Sequence, residues 1–346
     1  MPVITVNGEI EAVDLGPTVG HEHIFCDTSG DYREPPEWVK AFLAEQGLSL
    51  EEPISLRTFG LLMREPQWSK YNQILSDYDD AKEELALLKR AGIRSVLDPT
   101  PIGLGRDPAG LRRLSQELGM HIVTGTGYYR EAFHPPETAT MTVEDIEAKM
   151  TRELLEGIDG TGVRAGVMGE LGTTQGRICP NERKTLIAAA RVNRATNAPI
   201  MIHKEGGLEF ALDVLRFLKE HGANLEKVHL CHVCEAPYWK EIADTGASIG
   251  LDNFGYSFSV DSEVYMFGTD TERIAHLKRI LDAGYGHKVL IGTDVCMKMR
   301  LHKYGGWGYD HIETNLTPFM HKAGITDEQL RMLHVDNPAQ FLDTDQ

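Results

Sequence analysis

Histidines and carboxylates stand in this chain where a metal ion could use them. His21-Glu22-His23 lies in an apolar run that reads as a strand. Residues i and i+2 of a strand point to one face, so His21 and His23 can hold one cation while Glu22 points away. His203 ends the run Pro-Ile-Met-Ile-His, and His232 ends Val-His-Leu-Cys-His. Glu170 ends Gly-Val-Met-Gly-Glu, and Asp294 ends Val-Leu-Ile-Gly-Thr-Asp. A single histidine at a strand end is usually a hydrogen-bonding partner and nothing more. Six such groups at the ends of five strands mean more if those ends converge. Four imidazoles and two carboxylates suit two borderline divalent ions, zinc (Zn2+) first among them, with one carboxylate shared between the two. Cys231 and Cys234 form a CxxC spacing around His232. No second pair completes a structural zinc site, and the run reads as a strand rather than the helix start of a redox pair. His121, His134, His221, His276, His302 and His334 lack the strand-end placement and read as surface or structural.

The segments that must position these residues alternate regularly. β-rich runs are expected at Thr18–Phe25, Ser95–Thr100, His121–Tyr129, Ala165–Leu171, Pro199–Lys204, Val228–Val233, Ala247–Asp252 and Val289–Val295. Helical spacing falls between them: Ala81, Leu85 and Leu88 before Gly92, then Leu111, Leu114 and Leu118 between Asp107-Pro108 and Gly119. Pro237 opens a short helix ending near Gly246, and Ile274, Leu277 and Leu281 precede Gly284. Thr326 with Gln329 reads as a capping box for a terminal helix. Eight strand–helix alternations without a break in composition predict one α/β (β/α)8 barrel over 1–346, with the strand C-termini at a common mouth. An open doubly wound sheet alternates in the same way, but no G-x-G-x-x-G or Walker-type loop follows any run. Asn7-Gly8 between two β-rich runs predicts a hairpin in residues 1–17. Residues 27–76 are too many for a simple loop, and Trp38, Phe42, Phe59 and Trp68 suggest a packed lid or rim.

Composition narrows the partners. Lys plus Arg number 35 against 52 Asp plus Glu, a net charge of −17. Such a surface repels nucleic acid and anionic membrane and leaves a small-molecule substrate as the expected partner. Five cysteines do not make a disulfide framework, and the first residues lack a basic segment followed by an apolar one. A cytoplasmic protein is expected.

Thr-Val-Gly-His-Glu-His, Gly-Glu-Leu-Gly-Thr, Ile-His, Cys-His and Ile-Gly-Thr-Asp, in this order, resemble the phosphotriesterase family of the amidohydrolase superfamily. Lys303 to Tyr309 (Lys-Tyr-Gly-Gly-Trp-Gly-Tyr) looks like a signature of its phosphotriesterase-related branch, and the likeness runs on to Asp336-Asn337-Pro338. The resemblance implies a binuclear barrel, often a homodimer. His21, His23 and Asp294 would hold the more buried metal, and His203 and His232 the more exposed one. It puts Glu170 where the founding enzyme bridges its metals with a carboxylated lysine. Asn253 stands where phosphotriesterases proper have a histidine of a proton relay and many lactonases an arginine, a departure that weakens organophosphate hydrolysis. Tyr129 matches an aromatic residue that faces the exposed metal.

The implied chemistry is hydrolysis, with two divalent ions acidifying a shared water to supply hydroxide as nucleophile. Asp294, touching metal and nucleophile, is the expected catalytic proton shuttle. Tyr129 could bind the reacting oxygen, and Lys298, with Arg300 and Lys303, an anionic tail. The expected substrate is a small lactone or carboxylic ester. The alternatives are an N-acyl amide, or a phosphotriester as a weak side activity. A ligand-binding protein without catalysis is disfavoured, because all six ligand positions are filled.

Overall fold

The computed structural model describes residues 2–345 except 52, 235 and 236. Its centre is one sheet of eight strands: β1 (Thr18–Val19), β2 (Ser95–Asp98), β3 (His121–Thr126), β4 (Val167–Gly172), β5 (Ile200–His203), β6 (Val228–Leu230), β7 (Ser248–Leu251) and β8 (Val289–Ile291). Each strand pairs in parallel with the next in the chain. Backbone bonds from Gly20 N to Ile291 O (2.8 Å), Asp294 N to His21 O (3.0 Å) and His23 N to Val295 O (3.2 Å) join the first strand's end to the eighth's. They draw the sheet into the expected barrel. Gly292 makes this seam possible: a Cβ there would lie 2.7 Å from His21 O and 2.9 Å from His21 N.

Leu97, Val123, Val167, Met201, Cys231 and Leu290 pack in one buried cluster along the barrel strands. Val3 of the hairpin Pro2–Thr5/Gly8–Glu11, with Leu15, Phe341 and Leu342, joins the same cluster. The outer helices are set by local chemistry. Asp107 accepts the Gly110 N–H (2.9 Å) at the start of Pro108–Leu118, and Gly119 ends that helix at φ +60°. Tyr78–Arg90 and Asp270–Asp282 cover the expected spacings, and Thr326 with Gln329 caps Asp327–Arg331. The helix expected after Pro237 spans Trp239–Ala243. Among the described residues no helix is long and apolar enough to cross a membrane.

The segment after β1 is tied at its base by a two-stranded ladder, Cys26–Asp27 against Ile74–Leu75. Within it, helices Glu37–Gln46 and Leu56–Arg64 bury Val39, Leu43 and Leu62. These pack with Trp68 against Tyr256, Phe258, Met297 and Met299, which follow β7 and β8. Of the four aromatic residues expected to pack, Trp68 is buried and Phe59 partly so. Trp38 and Phe42 are 48% and 41% exposed, because they fall on the outer face of their helix.

Candidate metal centre

Several expected strands stop short of their ends, and that shortening builds the site. The first run leaves the ladder after Val19, the sixth after Leu230 and the eighth after Ile291. His232 (φ +60°) and Asp294 (φ +50°) then take left-handed backbone, which a ladder cannot hold. Such conformations cost side-chain-bearing residues about 1–3 kcal/mol and persist where surrounding structure enforces them. Here the enforcement is visible: Asp294 N bonds His21 O, and His232 N bonds the Asp252 carboxylate at 3.1 Å.

The structure brings all six expected ligands together. His21 and His23 Nε2 are 3.3 Å apart, and Asp294 Oδ1 lies 3.3 Å from His23 Nε2 and 3.7 Å from His21 Nε2. His203 Nδ1 and His232 Nε2 are 3.0 Å apart, at 3.2 and 3.0 Å from Glu170 Oε1. The same Oε1 is 3.7 Å from His21 Nε2, which places Glu170 between the two groups. A tetrahedron with 2.0–2.1 Å bonds has edges of about 3.3 Å, so donors at these separations fit around single cations. His21, His23, Glu170 and Asp294 are buried, whereas the His203 and His232 side chains are 13% and 16% exposed.

The surroundings fix the rings. Asp252 accepts from His21 Nδ1 (2.9 Å) and His232 Nδ1 (3.1 Å), and Thr100 Oγ1 lies 2.8 Å from His23 Nδ1. Each contact at Nδ1 leaves Nε2 for a metal. Glu22 points away as expected, accepting from Thr293 N and Oγ1 (both 2.7 Å) and Val295 N (3.0 Å). Asp294 is divided between two tasks: Oδ1 faces the histidines, while Oδ2 accepts from Tyr256 OH (2.8 Å) and Asn253 Nδ2 (3.2 Å).

The electrostatics call for cations. Burial alone would raise the Glu170 carboxyl, but the charges of His203, His21 and His232 hold it well below the usual carboxylate range. Burial would lower His21, yet Glu170, the Asp252 bond and Asp294 raise it to about 9. His232 is raised well above its ordinary value in the same way, against burial, by Asp252 and Glu170. Without an ion, protons meet the demand of three buried carboxylates for positive charge, and a metal competes for the same nitrogens.

Tyr129 joins the centre, its hydroxyl 3.1 Å from His203 Nε2, and burial keeps that hydroxyl protonated. Lys298 does not. It is buried with Nζ bonded to Ile74 O and lies 5.0 Å from the Tyr71 ring, outside the cavity over the metal centre. Arg300 bonds Phe254 O and Thr293 O (both 3.0 Å), and Lys303 pairs with Asp80. The basic run expected to meet a substrate tail therefore ties its own loop to the barrel and the insertion. Asp252 and Tyr256 were not singled out in the sequence. Asp252 shares the strand-end signal of Asp294, whereas Tyr256 has no local signal at all.

The chain matches the phosphotriesterase family over residues 1–342. It is 33% identical over 350 residues to an N-acetyltaurine hydrolase of Danio rerio, covering 98% of this chain and 97% of that protein. A resiniferatoxin-binding protein from Rhodobacter sphaeroides superposes with a TM-score of 0.92 at 34% identity, covering 99% of this chain and 95% of that one. A mutant phosphotriesterase-like lactonase of Deinococcus radiodurans superposes at 0.76 with 27% identity, covering 99% and 100%. An end-to-end family match and relatives above 30% identity lead to one conclusion: the chain belongs to the phosphotriesterase family, a family of binuclear metal hydrolases.

Proposed function

We propose that this chain hydrolyses a small carboxylic-acid derivative, a lactone or ester C–O bond or an amide C–N bond, at two divalent cations, zinc first among them. The observation that carries the reading is the pair of donor groups, His21/His23/Asp294 and His203/His232, joined by the Glu170 carboxylate. When bound, two such cations supply Lewis acidity and an acidified water. The rest falls to the chain. Glu170 is an ordinary carboxylate and joins the two groups without carbon dioxide. Tyr129, protonated and beside His203, offers an O–H donor to the reacting oxygen. Asp294 Oδ1 receives a proton during attack and passes it to the leaving group, while Tyr256 and Asn253 hold Oδ2.

The amide reading draws on the full-length likeness to N-acetyltaurine hydrolases, and the lactone or ester reading on the phosphotriesterase-like lactonases. Asn253 leaves no histidine relay at that position, so phosphotriester turnover is a side activity. The test is a screen of metal-reconstituted protein against lactones, esters, N-acyl amides and phosphotriesters. The expected result is a kcat/KM highest for a carbonyl substrate. A clear preference for phosphotriesters would contradict it.

A further inference from the structure

Over the metal centre lies a cavity of about 450 Å³, and its walls differ sharply from a site for an anion. One wall is a cluster of rings: Phe267 lies 4.9 Å from each of Tyr256, Phe258 and Tyr265. Apart from the metal ligands, Asp31, Glu205 and Glu263 add three carboxylates to the lining. Among the described lining residues the one ammonium or guanidinium is Lys204. Its Nζ already donates to Gly206 O (2.7 Å) and faces Tyr238 OH at 3.3 Å. Two guanidinium groups reach the lining carboxylates from behind: Arg130 pairs with Asp31 and Glu205, and Arg33 with Glu263 (2.6 Å).

Two amide groups in the wall each keep an oxygen without a donor. Gln73 is 1% exposed and donates Nε2 to Gln67 O (3.3 Å) and Ser69 O (3.2 Å). Those two carbonyls fix the orientation of its amide, and Oε1 is left as a buried acceptor without a donor. Gln67 Oε1 is in the same position. Rings and carboxylates in the lining suit a group that brings a π-face and hydrogen-bond donors. A sulfonate, carboxylate or phosphate tail finds in the described lining one ammonium, Lys204, turned to Gly206 O and Tyr238 OH, against three carboxylates besides the candidate metal ligands.

Resting on the hydrolase reading above, we infer that the substrate's non-reacting part is an aromatic group bearing an O–H or N–H donor and no anionic group. The cavity thereby disfavours the sulfonate tail of N-acetyltaurine relative to such a group. The test uses the metal-loaded full chain and a matched set: the acetamides of tyramine, 2-phenylethylamine and taurine, and the acetate esters of the corresponding alcohols. Within each bond class kcat/KM is expected to be at least roughly tenfold higher for the hydroxyphenyl tail than for the sulfonate. The phenyl tail should fall between them. Tyr265→Ala, at a half-exposed ring on the rim, and Phe267→Ala, at the cluster's centre, should each reduce the hydroxyphenyl-to-sulfonate ratio severalfold.

Equal or better turnover of the sulfonate tail overturns the inference while the hydrolase reading stands. If no member of the set is turned over, calorimetric binding of tyramine and taurine to the metal-loaded chain decides the cavity question by itself. Tighter tyramine supports the aromatic assignment although the hydrolase reading has failed. Taurine binding as tightly, or more so, overturns it.

Discussion

Asp294 uses its two oxygens differently, and its variants separate the two uses. Oδ1 lies among His21 and His23, and Oδ2 is held by Tyr256 and Asn253. Asp294→Asn keeps an oxygen for the metal side but cannot accept a proton near neutrality. Metal content should be largely kept while kcat falls roughly 10²–10⁴-fold, the usual worth of a positioned acid–base group. The loss should be smaller for good leaving groups, which need less protonation. Unchanged turnover with metals bound would make Asp294 a dispensable ligand. Tyr256→Phe keeps the ring and removes the hydroxyl that lies 2.8 Å from Oδ2 and 2.9 Å from the Asp294 carbonyl oxygen. A hydrogen bond to a charged group is worth about 1.5–3 kcal/mol, so kcat should drop roughly tenfold to a hundredfold with KM little changed. A change in KM alone would mean that Tyr256 serves the substrate and not Asp294.

The segments around the barrel carry both the clearest sequence signals and the least visible ones. Beneath the seam, Ile312–Leu316 winds as a π-helix and buries both Glu313 oxygens without a hydrogen-bond partner. Burial pushes this carboxyl up to about 8, with Glu22 and Asp310 adding to the rise. His334 Nδ1 lies 3.5 Å away, but burial lowers that imidazole to about 4, so both groups are neutral at pH 7 and form no ion pair. The folded form thus holds a proton that the unfolded chain releases above about 4.5. The Glu313 contribution to stability should decline as pH rises from that value to about 8 and level off beyond, offset below about 6.5 by His334, whose buried imidazole is neutral where the unfolded chain's is charged. Glu313→Gln should flatten this slope and stabilise the protein at pH 8 by no more than about 5 kcal/mol. Denaturant melts at pH 5 and 8 check it, and an identical slope in the variant would show that the proton is held elsewhere. Caps such as Asp107 and Thr326 were readable because a cap is a contact over three residues. The convergence of the candidate ligands was readable because a barrel gathers strand ends. The early ends of β1, β6 and β8 were not, since hydrogen bonds between distant segments impose the left-handed turns at His232 and Asp294. Lys298, Arg300 and Lys303 misled for a related reason: a basic run looks solvated until the carbonyls and carboxylates that bury it are known.

As a whole, the molecule gathers three of the six candidate ligands at one closing seam. The bonds that join β1 to β8 run through His21, His23 and Asp294, so barrel closure and ligand placement are one event. The insertion and the loops after β7 and β8 then pack together beside the cavity. The proposed hydrolysis requires two metal ions that share Glu170. The direct measurement is turnover against metal equivalents, with chelated protein titrated by Zn2+ and its bound metal counted by mass spectrometry, in the absence of bicarbonate. Activity should be absent in the chelated chain, small at one equivalent and complete at two, and Glu170→Gln should lose both metal and turnover. Full activity in the chelated protein, or two bound metals and full activity in Glu170→Gln, would contradict it.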